Sequence, residues 1–387
     1  MLYTLAISNY RSLRELVLPL GGLTVIAGAN ASGKSNLYRA LRLLSDTAAG
    51  GATASLAREG GLNSVLWAGP ESFSRSVRDG QAPVQGGPRS GPVSLRLGFA
   101  ADDLSYAIDF GLPEPSPTAF THDPQIKREC IWNGPAWRPA ATLIDRRGSV
   151  VTTIGERSKR EVLNQHLSSY ASVFTEITDP QRAPEVLLLR DTIRSWRFYD
   201  HFRTDAVAPA RQPQVGTRTP VLSHDGHDLA AAIQTIREIG DGEALDEAVD
   251  DAFPGATVEI TTDAGRFGLK FHQEGLLRPL TQSELSDGTL RYLLWVAALL
   301  TPRPPALMVL NEPETSLHPD LLPALARLMI RASESVQLWV VSHATRLIAA
   351  LEESASCVSL HLEKALGQTS LLGQDPLDQP SWKWPPR

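Results

Sequence analysis

Cysteine is scarce in this sequence. Its 387 residues include two cysteines, Cys130 and Cys357, which are far apart and lack C-x-x-C spacing. We therefore expect neither a disulfide framework nor a cysteine-based zinc site, and the reducing cytoplasm is the predicted location. Long apolar runs are also missing: the longest, residues 292–300, is far shorter than the roughly 20 residues of a membrane-spanning helix. Residues 9–11 interrupt the first apolar run, so we expect no secretory signal and no membrane partner.

An excess of positive charge is missing as well. The 37 lysines and arginines are outnumbered by 43 aspartates and glutamates, which gives a net charge of −6. This balance excludes a basic coat that binds nucleic acid over the whole surface, but it leaves a local basic patch open. Apolar residues make up 42% of the chain and charged residues 21%, so a large core can form and wholesale disorder is excluded. At roughly 150 residues per domain, the length predicts two to three domains or one large α/β unit.

The spacing of apolar residues predicts an α/β fold. Two N-terminal strands precede a short buried strand at 23–27, which leads through a glycine-rich loop into a helix at 35–45. Alternating residues predict strands at 92–154, and the pattern from 156 to about 194 is mostly helical. From residue 285 onward helices alternate with strands, which predicts a parallel sheet flanked by helices. These strands are expected at 306–310, 338–342 and 358–362, with helices at 321–332 and 345–351.

A phosphate-binding loop is predicted at residues 28–35, which match G-x-x-x-x-G-K-[ST] between a predicted strand and a predicted helix. Glycine lets backbone N–H groups turn toward phosphate oxygens without a clash from Cβ, and the N-terminus of the helix attracts the anion. Lys34 would bring positive charge to the β- and γ-phosphates, and the Ser35 hydroxyl would bind Mg²⁺. The alternative is a glycine-rich turn that contains a lysine by chance. The predicted ATP-binding residues of this segment are Gly28, Ala29, Asn30, Ala31, Ser32, Gly33, Lys34, Ser35 and Asn36.

Three further motifs lie in the C-terminal third of the chain. Residues 285–289 read Leu-Ser-Asp-Gly-Thr at the start of a predicted helix. One apolar strand ends in Asn311 and Glu312, and the next ends in Ser342 and His343. Taken singly, each motif also has a plain structural explanation, as a helix cap, a turn or the polar end of a strand.

In this order, the motifs resemble the ABC-type ATPase heads of the RecF/SMC class, and more closely the compact bacterial RecF-like or OLD-like ATPases of the AAA family. The segments that carry the resemblance are NYRSL at 9–13, GxNxSGKSN at 28–36, LSDGT at 285–289 and EPETSLHP at 312–319. They cover about residues 1–70 and 280–362. The resemblance implies an α/β fold, a two-lobed ABC-type P-loop NTPase head with a mixed or parallel sheet flanked by helices, an antiparallel β flank and a helical insertion.

We predict that this head is a single domain over residues 1–373, followed by an irregular tail at 374–387. Its predicted parts are the N-terminal strands and P-loop at 1–69, a β-rich flank at 70–155 with a mobile loop at 69–91, a helical insertion with connecting strands at 156–280, and the signature, Walker B and switch half at 281–373.

The resemblance also implies roles for single residues. Glu312 would be the general base that orients the attacking water, and His343 would contact the γ-phosphate. Ser286 and the amide of Gly288 would contact the γ-phosphate of an ATP held by a second copy of the chain. Because one chain has one P-loop and one LSDGT signature, complete sites require an ATP-dependent homodimer. Arg11 either reaches the nucleotide or lies on the surface.

Two positions depart from the pattern of the family. Asn311 stands where an aspartate usually holds the water shell of Mg²⁺; its amide oxygen can accept a hydrogen bond from a metal-bound water but brings no charge. We therefore expect slow hydrolysis. Asp287 replaces the first glycine of LSGGQ and places a negative charge near a phosphate. Glu314 either supports the site or is a solvated turn residue.

In the middle of the chain, arginines alternate with aromatic residues. The segment would bind DNA through phosphate contacts and base stacking, or it is a strand with an apolar face whose arginines pair with nearby aspartates. The arginines are Arg190, Arg194, Arg197 and Arg203, the aromatic residues Trp196, Phe198, Tyr199 and Phe202, and the aspartates Asp191, Asp200 and Asp205.

We expect an ATP-driven switch that homodimerises around two Mg-ATP and serves DNA maintenance, DNA repair or anti-phage defence, a role that rests on the resemblance. Its candidate partners are a second copy of itself, DNA and a separate effector protein. The alternatives are a nucleotide-gated binding module with little or no hydrolysis, an ABC transporter motor subunit and a small-molecule kinase. The wide separation of Lys34 from Ser286 disfavours the transporter, and a kinase would not need residues 285–289.

Overall fold

The structure, a computed structural model, describes residues 1–72, 74–79, 81, 91–115, 117, 119–155, 159–374 and 379–387. Its strands are β1 (Leu2–Tyr10), β2 (Leu13–Pro19), β3 (Leu23–Gly28), β4 (Leu95–Ala101), β5 (Leu104–Gly111), β6 (Gln125–Asn133), β7 (Thr142–Arg147), β8 (Val150–Ile154), β9 (Arg160–Asn164), β10 (Arg197–Tyr199), β11 (Gln214–Val215), β12 (Thr257–Asp263), β13 (Arg266–His272), β14 (Leu280–Thr281), β15 (Leu307–Asn311), β16 (Gln337–Val341), β17 (Cys357–Ala365) and β18 (Gln368–Leu371). Its α-helices are α1 (Lys34–Ala48), α2 (Ala52–Arg58), α3 (Leu62–Val65), α4 (Arg75–Arg78), α5 (Val173–Glu176), α6 (Pro184–Ser195), α7 (Leu229–Ile239), α8 (Gly242–Ala252), α9 (Asp287–Leu299), α10 (Leu322–Ala332) and α11 (Thr345–Glu352). Short 3₁₀ helices occupy Pro139–Ala141, Pro209–Arg211 and Pro319–Leu321.

The first of two compact units contains an eight-stranded antiparallel sheet with strand order β2-β1-β4-β5-β6-β7-β8-β9. This unit consists of Met1–Gly21, Gly28–Ser195 and Leu360–Arg387. Leu5, Ala6 and Ile7 are all fully buried, so both faces of β1 are covered. Helix α1 packs against β1 and β4 and also contacts α2 and α6. The sheet therefore fixes the helix that follows the glycine-rich loop.

The helical pattern predicted from residue 156 to about 194 is wrong for its N-terminal part. Residues 156–158 lie outside the described residues, and the next element is β9, which pairs with β8 from Ile154↔Arg160 to Val151↔Asn164. Pairing along the open edge of the sheet overrides the local helical pattern here. The long helix of this region, α6, begins at Pro184. Proline suits this first position because an N–H there would form no hydrogen bond within the helix.

The second unit, Gly22–Ala27 and Trp196–Ser359, is built on parallel strands in the order β10-β15-β16-β3. Leu338 to Val341 of β16 pair in parallel with Leu23 to Ile26 of β3. Helix α9 is buried over residues 290–299, as expected for a helix that is apolar on nearly all sides. The predicted alternation of helices and parallel strands is confirmed for β15, α10, β16 and α11.

The last predicted strand lies beside β3 and continues into a hairpin. β17 turns at Leu366 and Gly367, both with positive φ, and pairs antiparallel with β18. A hairpin turn of this kind brings the chain straight back along the strand. A further small antiparallel sheet in the second unit has the order β11-β13-β12, with β14 paired to β13 just before the LSDGT segment.

The predicted mobile loop at 69–91 falls largely outside the described residues, which include α4 at Arg75–Arg78. The predicted irregular tail lies partly outside them, at 375–378, and its described residues form no helix or strand. Within the first unit, Trp382 packs against Trp132 with ring centroids 5.7 Å apart, and Arg387 pairs with Asp109. In the part of the chain that the structure describes, no helix combines the length and apolar character needed to cross a bilayer.

Candidate nucleotide-binding site

The glycine-rich loop needs its two glycines for steric reasons. Gly28 has φ 147° and Gly33 has φ 116°, conformations that side chains rarely adopt. A Cβ on Gly28 would lie 2.4 Å from the carbonyl oxygen of Leu362, and one on Gly33 would lie 2.2 Å from Thr369 Oγ1. The loop is therefore packed so closely that only glycine fits at either position.

Lys34 and Ser32 give the loop its polar character. The Lys34 side chain is buried, and its ammonium donates hydrogen bonds to the carbonyl oxygens of Gly28, at 2.6 Å, and Ala29, at 3.1 Å. The hydroxyl of Ser32 is buried and has no hydrogen-bond partner among the described residues. A buried hydroxyl and a buried cation at the N-terminus of α1 fit an anionic ligand with several acceptor oxygens. Ser35, the predicted Mg²⁺ ligand, is exposed in the first turn of α1.

A chain of hydroxyl groups anchors the loop within the first unit. Asn36 Nδ2 donates to Ser12 Oγ at 2.8 Å, and Ser12 Oγ lies 2.7 Å from Thr369 Oγ1. Thr369 Oγ1 in turn donates to the carbonyl oxygen of Ser32 at 2.7 Å. Asn36, predicted to bind ATP, thus binds the NYRSL segment in this structure. Sequence reasoning missed Thr369, because a threonine in a C-terminal strand carries no motif.

Arg11 forms an ion pair with Glu59. Arg11 Nη2 lies 2.6 Å from Glu59 Oε2, and the hydroxyl of Tyr10 donates to the same carboxylate at 2.8 Å. Burial, together with the hydrogen bond to Glu59, raises the pKa of the Tyr10 phenol well above its usual value. Arg11 also adopts a positive φ of 48°. The guanidinium is therefore held on the Glu59 side chain, just after α2, in this structure, and a contact with nucleotide stays a prediction.

In the second unit, the carboxyl ends of three parallel strands meet at one edge of the sheet. β15 ends at Asn311, β16 is followed by Ser342 and His343, and β3 leads directly into the glycine-rich loop in the chain. Open α/β sheets bind ligands at this kind of edge. Glu312, just after β15, has a φ of 50° and donates its N–H to the carbonyl oxygen of Val341 at 2.8 Å. Its backbone is strained, while its side chain is 47% exposed.

Glu314 holds the loop that carries the histidine. Its side chain is 7% exposed, and Oε1 accepts hydrogen bonds from Ser342 Oγ at 2.7 Å, the His343 N–H at 3.0 Å and the Ala344 N–H at 3.1 Å. His343 Nδ1 lies 3.4 Å from Glu314 Oε1 and 3.8 Å from Glu312 Oε1. Glu314 is thus no solvated turn residue. It brings the two predicted catalytic residues, Glu312 and His343, beside each other.

The LSDGT segment forms the N-terminus of α9. Ser286 caps the helix, because its Oγ accepts a hydrogen bond from the Thr289 N–H at 3.1 Å. Ser286 Oγ also lies 2.8 Å from Thr289 Oγ1, and either hydroxyl can be the donor of that hydrogen bond. The carboxylate of Asp287 pairs with the guanidinium of Arg211, which sequence reasoning missed because the two lie far apart in the chain. From α9, Arg291 donates to the carbonyl oxygen of Thr315 at 2.6 Å and ties the helix to the loop after Glu312.

The aromatic residues of the Arg-rich segment are mostly buried in the second unit. Trp196, Tyr199 and Phe202 are 3%, 1% and 1% exposed, so they cannot stack on bases at the surface. Two of the arginines form ion pairs with neighbouring aspartates, Arg190 with Asp191 and Arg203 with Asp205. This arrangement agrees with the strand interpretation of the segment and provides no stacking platform for DNA.

The described residues contain no group of three or more His, Cys, Asp or Glu side chains arranged to hold a metal ion. The predicted magnesium residues, Ser35 and Asn311, offer a hydroxyl and an amide oxygen. Both are hard oxygen donors of the type that Mg²⁺ accepts, usually together with phosphate oxygens and water. The donor chemistry therefore fits Mg²⁺ that arrives with a nucleotide, and the roles of both residues stay predictions.

Comparisons with known proteins identify the family and the fold. A family model described as "AAA domain, putative AbiEii toxin, Type IV TA system" matches residues 23–349. No curated protein matches the chain. A solved Smc head bound to the C-terminal winged-helix domain of ScpA is 12% identical, with 96% of this chain and 97% of that chain covered and a TM-score of 0.51.

Two further solved heads give lower scores. An Smc head with an extended coiled coil, bound to the C-terminal domain of ScpA derived from Pyrococcus furiosus, is 12% identical over 96% of this chain and 95% of that chain, with a TM-score of 0.48. The SMC head domain from Thermotoga maritima is 13% identical over 97% and 99%, with a TM-score of 0.44. The first similarity confirms the predicted fold class, an α/β P-loop NTPase head of the SMC type.

Proposed function

The chain belongs to this AAA-domain family of ATP-binding ATPases, and from that premise we propose that it is a slow ATPase that homodimerises around two Mg-ATP. The observation that carries the proposal is the group formed by Glu312, His343 and Glu314 at the carboxyl edge of the parallel sheet. A half-exposed carboxylate beside a histidine can take up a proton from water. The buried carboxylate of Glu314 keeps that histidine in place.

The reaction needs positioning and charge rather than covalent chemistry. Lys34, the backbone N–H groups of the loop and the N-terminus of α1 bind the triphosphate. Glu312 accepts a hydrogen bond from the attacking water and orients it, and His343 donates to the terminal phosphate. Ser286 and the Gly288 amide, at the N-terminus of α9, bind the terminal phosphate of the nucleotide held by the second copy.

Magnesium is the expected companion of the nucleotide. Ser35 would hold it directly and Asn311 through a water molecule. When bound, Mg²⁺ neutralises charge on the β- and γ-phosphate oxygens. Neither protein donor carries a negative charge, so the affinity for Mg²⁺ rests mostly on the phosphate oxygens. This is the reason for proposing slow turnover.

Steady-state phosphate release distinguishes the ATPase from the second candidate, a nucleotide-gated binding module, which Asn311 favours. The purified chain with Mg-ATP is expected to release phosphate faster than its Glu312→Gln variant, which keeps the shape of the side chain and loses the base. Lys34→Ala, which removes the cation of the loop, serves as a control for contaminating activity. Equal release by the parent chain and Glu312→Gln would favour the binding module.

Sedimentation of the Glu312→Gln variant tests the homodimer. Without nucleotide the variant is expected to sediment as a monomer, and with Mg-ATP as a dimer, because trapped nucleotide is bound from both sides. Adding Lys34→Ala to the same chain is expected to abolish the shift. A monomer at saturating Mg-ATP would contradict the proposal.

For the biological role, we propose anti-phage defence or DNA maintenance in the cytoplasm, together with a separate effector protein. The description of the family names a type IV toxin–antitoxin system, and the similar Smc head is bound to another protein, ScpA. These facts support a switch that acts through a partner. For DNA as a partner, the test is salt-dependent binding by the parent chain and by the double variant Arg194→Glu, Arg197→Glu. Equal affinities would remove the arginine segment as a DNA-binding surface.

A further inference from the structure

Arg211 is a buried arginine in the 3₁₀ helix Pro209–Arg211 of the second unit. Its side chain is 8% exposed, and all three of its nitrogens donate hydrogen bonds. Nε donates to the Thr204 carbonyl oxygen at 2.9 Å, and Nη2 donates to Asp287 Oδ1 at 2.7 Å. Nη1 points to three carbonyl oxygens before α9, those of Leu285 at 2.7 Å, Ser283 at 3.2 Å and Gln282 at 3.4 Å. One guanidinium thus fixes the whole approach to the LSDGT helix.

The partner of Arg211 is the residue that departs from the family pattern. Asp287 is the first residue of α9, and its carboxylate is 61% exposed. It stands between Ser286 and Gly288, which the proposed function assigns to the terminal phosphate of a second copy's ATP. An unpaired carboxylate there would repel the triphosphate and would compete with it for the positive end of the helix. The ion pair with Arg211 cancels that charge.

We infer that Arg211 is a positioning residue for the trans half of the ATP site, because it neutralises Asp287 and fixes the segment that presents Ser286 and Gly288. The inference rests on the proposed function. Arg211 contacts no substrate in this role and acts through Asp287 and the carbonyl oxygens before α9. The expected ligand of Ser286 and Gly288, which Arg211 helps to position, is the terminal phosphate of a nucleoside triphosphate bound by a second copy of the chain.

A merely structural role for Arg211 would give a different pattern of mutant effects. The net charge of the pair is zero in the parent chain, −1 in Arg211→Met, +1 in Asp287→Asn and zero again in the double variant. If Arg211 acts by neutralising Asp287, adding Asp287→Asn to Arg211→Met is expected to strengthen the dimer that Arg211→Met weakens. A structural role predicts that each variant weakens the site and that the double variant is the weakest.

The test is a double-mutant cycle in the Glu312→Gln background, with the Mg-ATP-dependent dimer dissociation constant as its readout. Arg211→Met is expected to raise this constant about tenfold, within the range typical of coupled neighbours, and the double variant to recover part of that loss, because Asp287→Asn removes the bare charge but does not restore the hydrogen bonds to the carbonyl oxygens before α9. Higher salt is expected to strengthen the Arg211→Met dimer, because it screens the bare carboxylate of Asp287 from phosphate. A double variant as weak as Arg211→Met, or weaker, would overturn the inference.

A separate measurement covers the case in which the Arg211→Met variant fails to fold. Thermal unfolding without nucleotide shows whether Arg211→Met still folds. If it does not, Asp287→Asn alone decides: a dimer at least as tight as that of the parent chain supports the inference, and a weaker dimer overturns it. A parent chain that stays monomeric with Mg-ATP would refute the proposed function and this inference with it. If the parent chain dimerises but the variants do not follow the predicted order of dimer affinities, this inference is refuted and the proposed function stands.

Discussion

Glu312 and Glu314 are two glutamates, two positions apart, for which the structure predicts opposite effects. Glu314 is buried and accepts three hydrogen bonds on one oxygen, whereas Glu312 is about half exposed. Glu314→Ala leaves the fully buried Ser342 hydroxyl and the His343 N–H without their acceptor, whereas the Ala344 N–H keeps a second acceptor, Ser342 Oγ. Each hydrogen bond to a charged group contributes about 1.5–3 kcal/mol, and the N–H groups of His343 and Ala344 can regain water. We therefore expect a loss of about 3 kcal/mol in the free energy of unfolding.

Thermal unfolding measures this difference with a matched control. For a unit of this size, about 3 kcal/mol corresponds to a midpoint lowered by about 6–12 °C. Glu312→Gln replaces the half-exposed carboxylate two positions away. It is expected to shift the midpoint by less than about 1 °C while it abolishes phosphate release. Glu314→Gln, which keeps one acceptor oxygen, is expected to fall between the two. A midpoint for Glu314→Ala that equals that of Glu312→Gln would refute the assignment of Glu314 as the residue that holds the histidine loop.

Three other predictions follow from single contacts. The hydrogen bond from Arg278 is the largest cause that lowers the pKa of Glu284, to about 2. The ion pair is therefore fully formed above pH 4.5 and is lost as the pH falls toward 2. NMR titration is expected to show this low pKa in the parent chain and a higher pKa of Glu284 in Arg278→Gln; a pKa near 4.5 in the parent chain would contradict the prediction. Gly28→Ala is expected to destabilise the chain by about 2 kcal/mol more than Gly275→Ala, because both glycines have positive φ but a Cβ at Gly28 meets a backbone oxygen, whereas Gly275 has open space around it; equal unfolding midpoints would contradict the steric argument. Gly288→Ala is expected to leave stability unchanged or slightly raised, since its Cβ would lie an ordinary 3.5 Å from the carbonyl oxygen of Ser316, yet to weaken the ATP-dependent dimer; a dimer of parental strength would argue against a phosphate contact at this amide.

Local patterns in the sequence are sufficient for the strands and helices around the motifs. The glycine-rich loop, α1, β15, α10, β16 and α11 all lie where apolar periodicity and turn residues place them, because each depends mostly on neighbours in the chain. The region after residue 156 shows the limit of this reasoning. β9 forms because an open sheet edge lies beside it, and no local pattern contains that information.

The contacts that fix the candidate site are long-range. The hydroxyl contact between Ser12 and Thr369 joins residues 357 positions apart, and the pair of Arg211 with Asp287 joins a 3₁₀ helix to the start of α9, 76 positions further on. A single sequence offers no signal for either pair. The burial of Glu314 is equally hidden, because a glutamate in a turn is usually solvated. In the sequence alone, Asp287 looks unfavourable beside a phosphate. Its ion pair with Arg211, which is seen only in the structure, neutralises that charge.

The central claim is that Lys34 of one copy and Ser286 of another act on the same triphosphate. Mixing two inactive variants tests it most directly. Lys34→Ala removes the cation of the loop, and Ser286→Asp keeps a good N-cap for α9 while it adds a charge that repels phosphate. Each variant alone is expected to release no phosphate above the Glu312→Gln level. A 1:1 mixture is expected to recover about a quarter of the parental rate per chain, because half of the dimers then contain one intact site. A Ser286→Asp chain that hydrolyses ATP at the parental rate by itself, or mixed dimers that form and stay inactive, would contradict the claim.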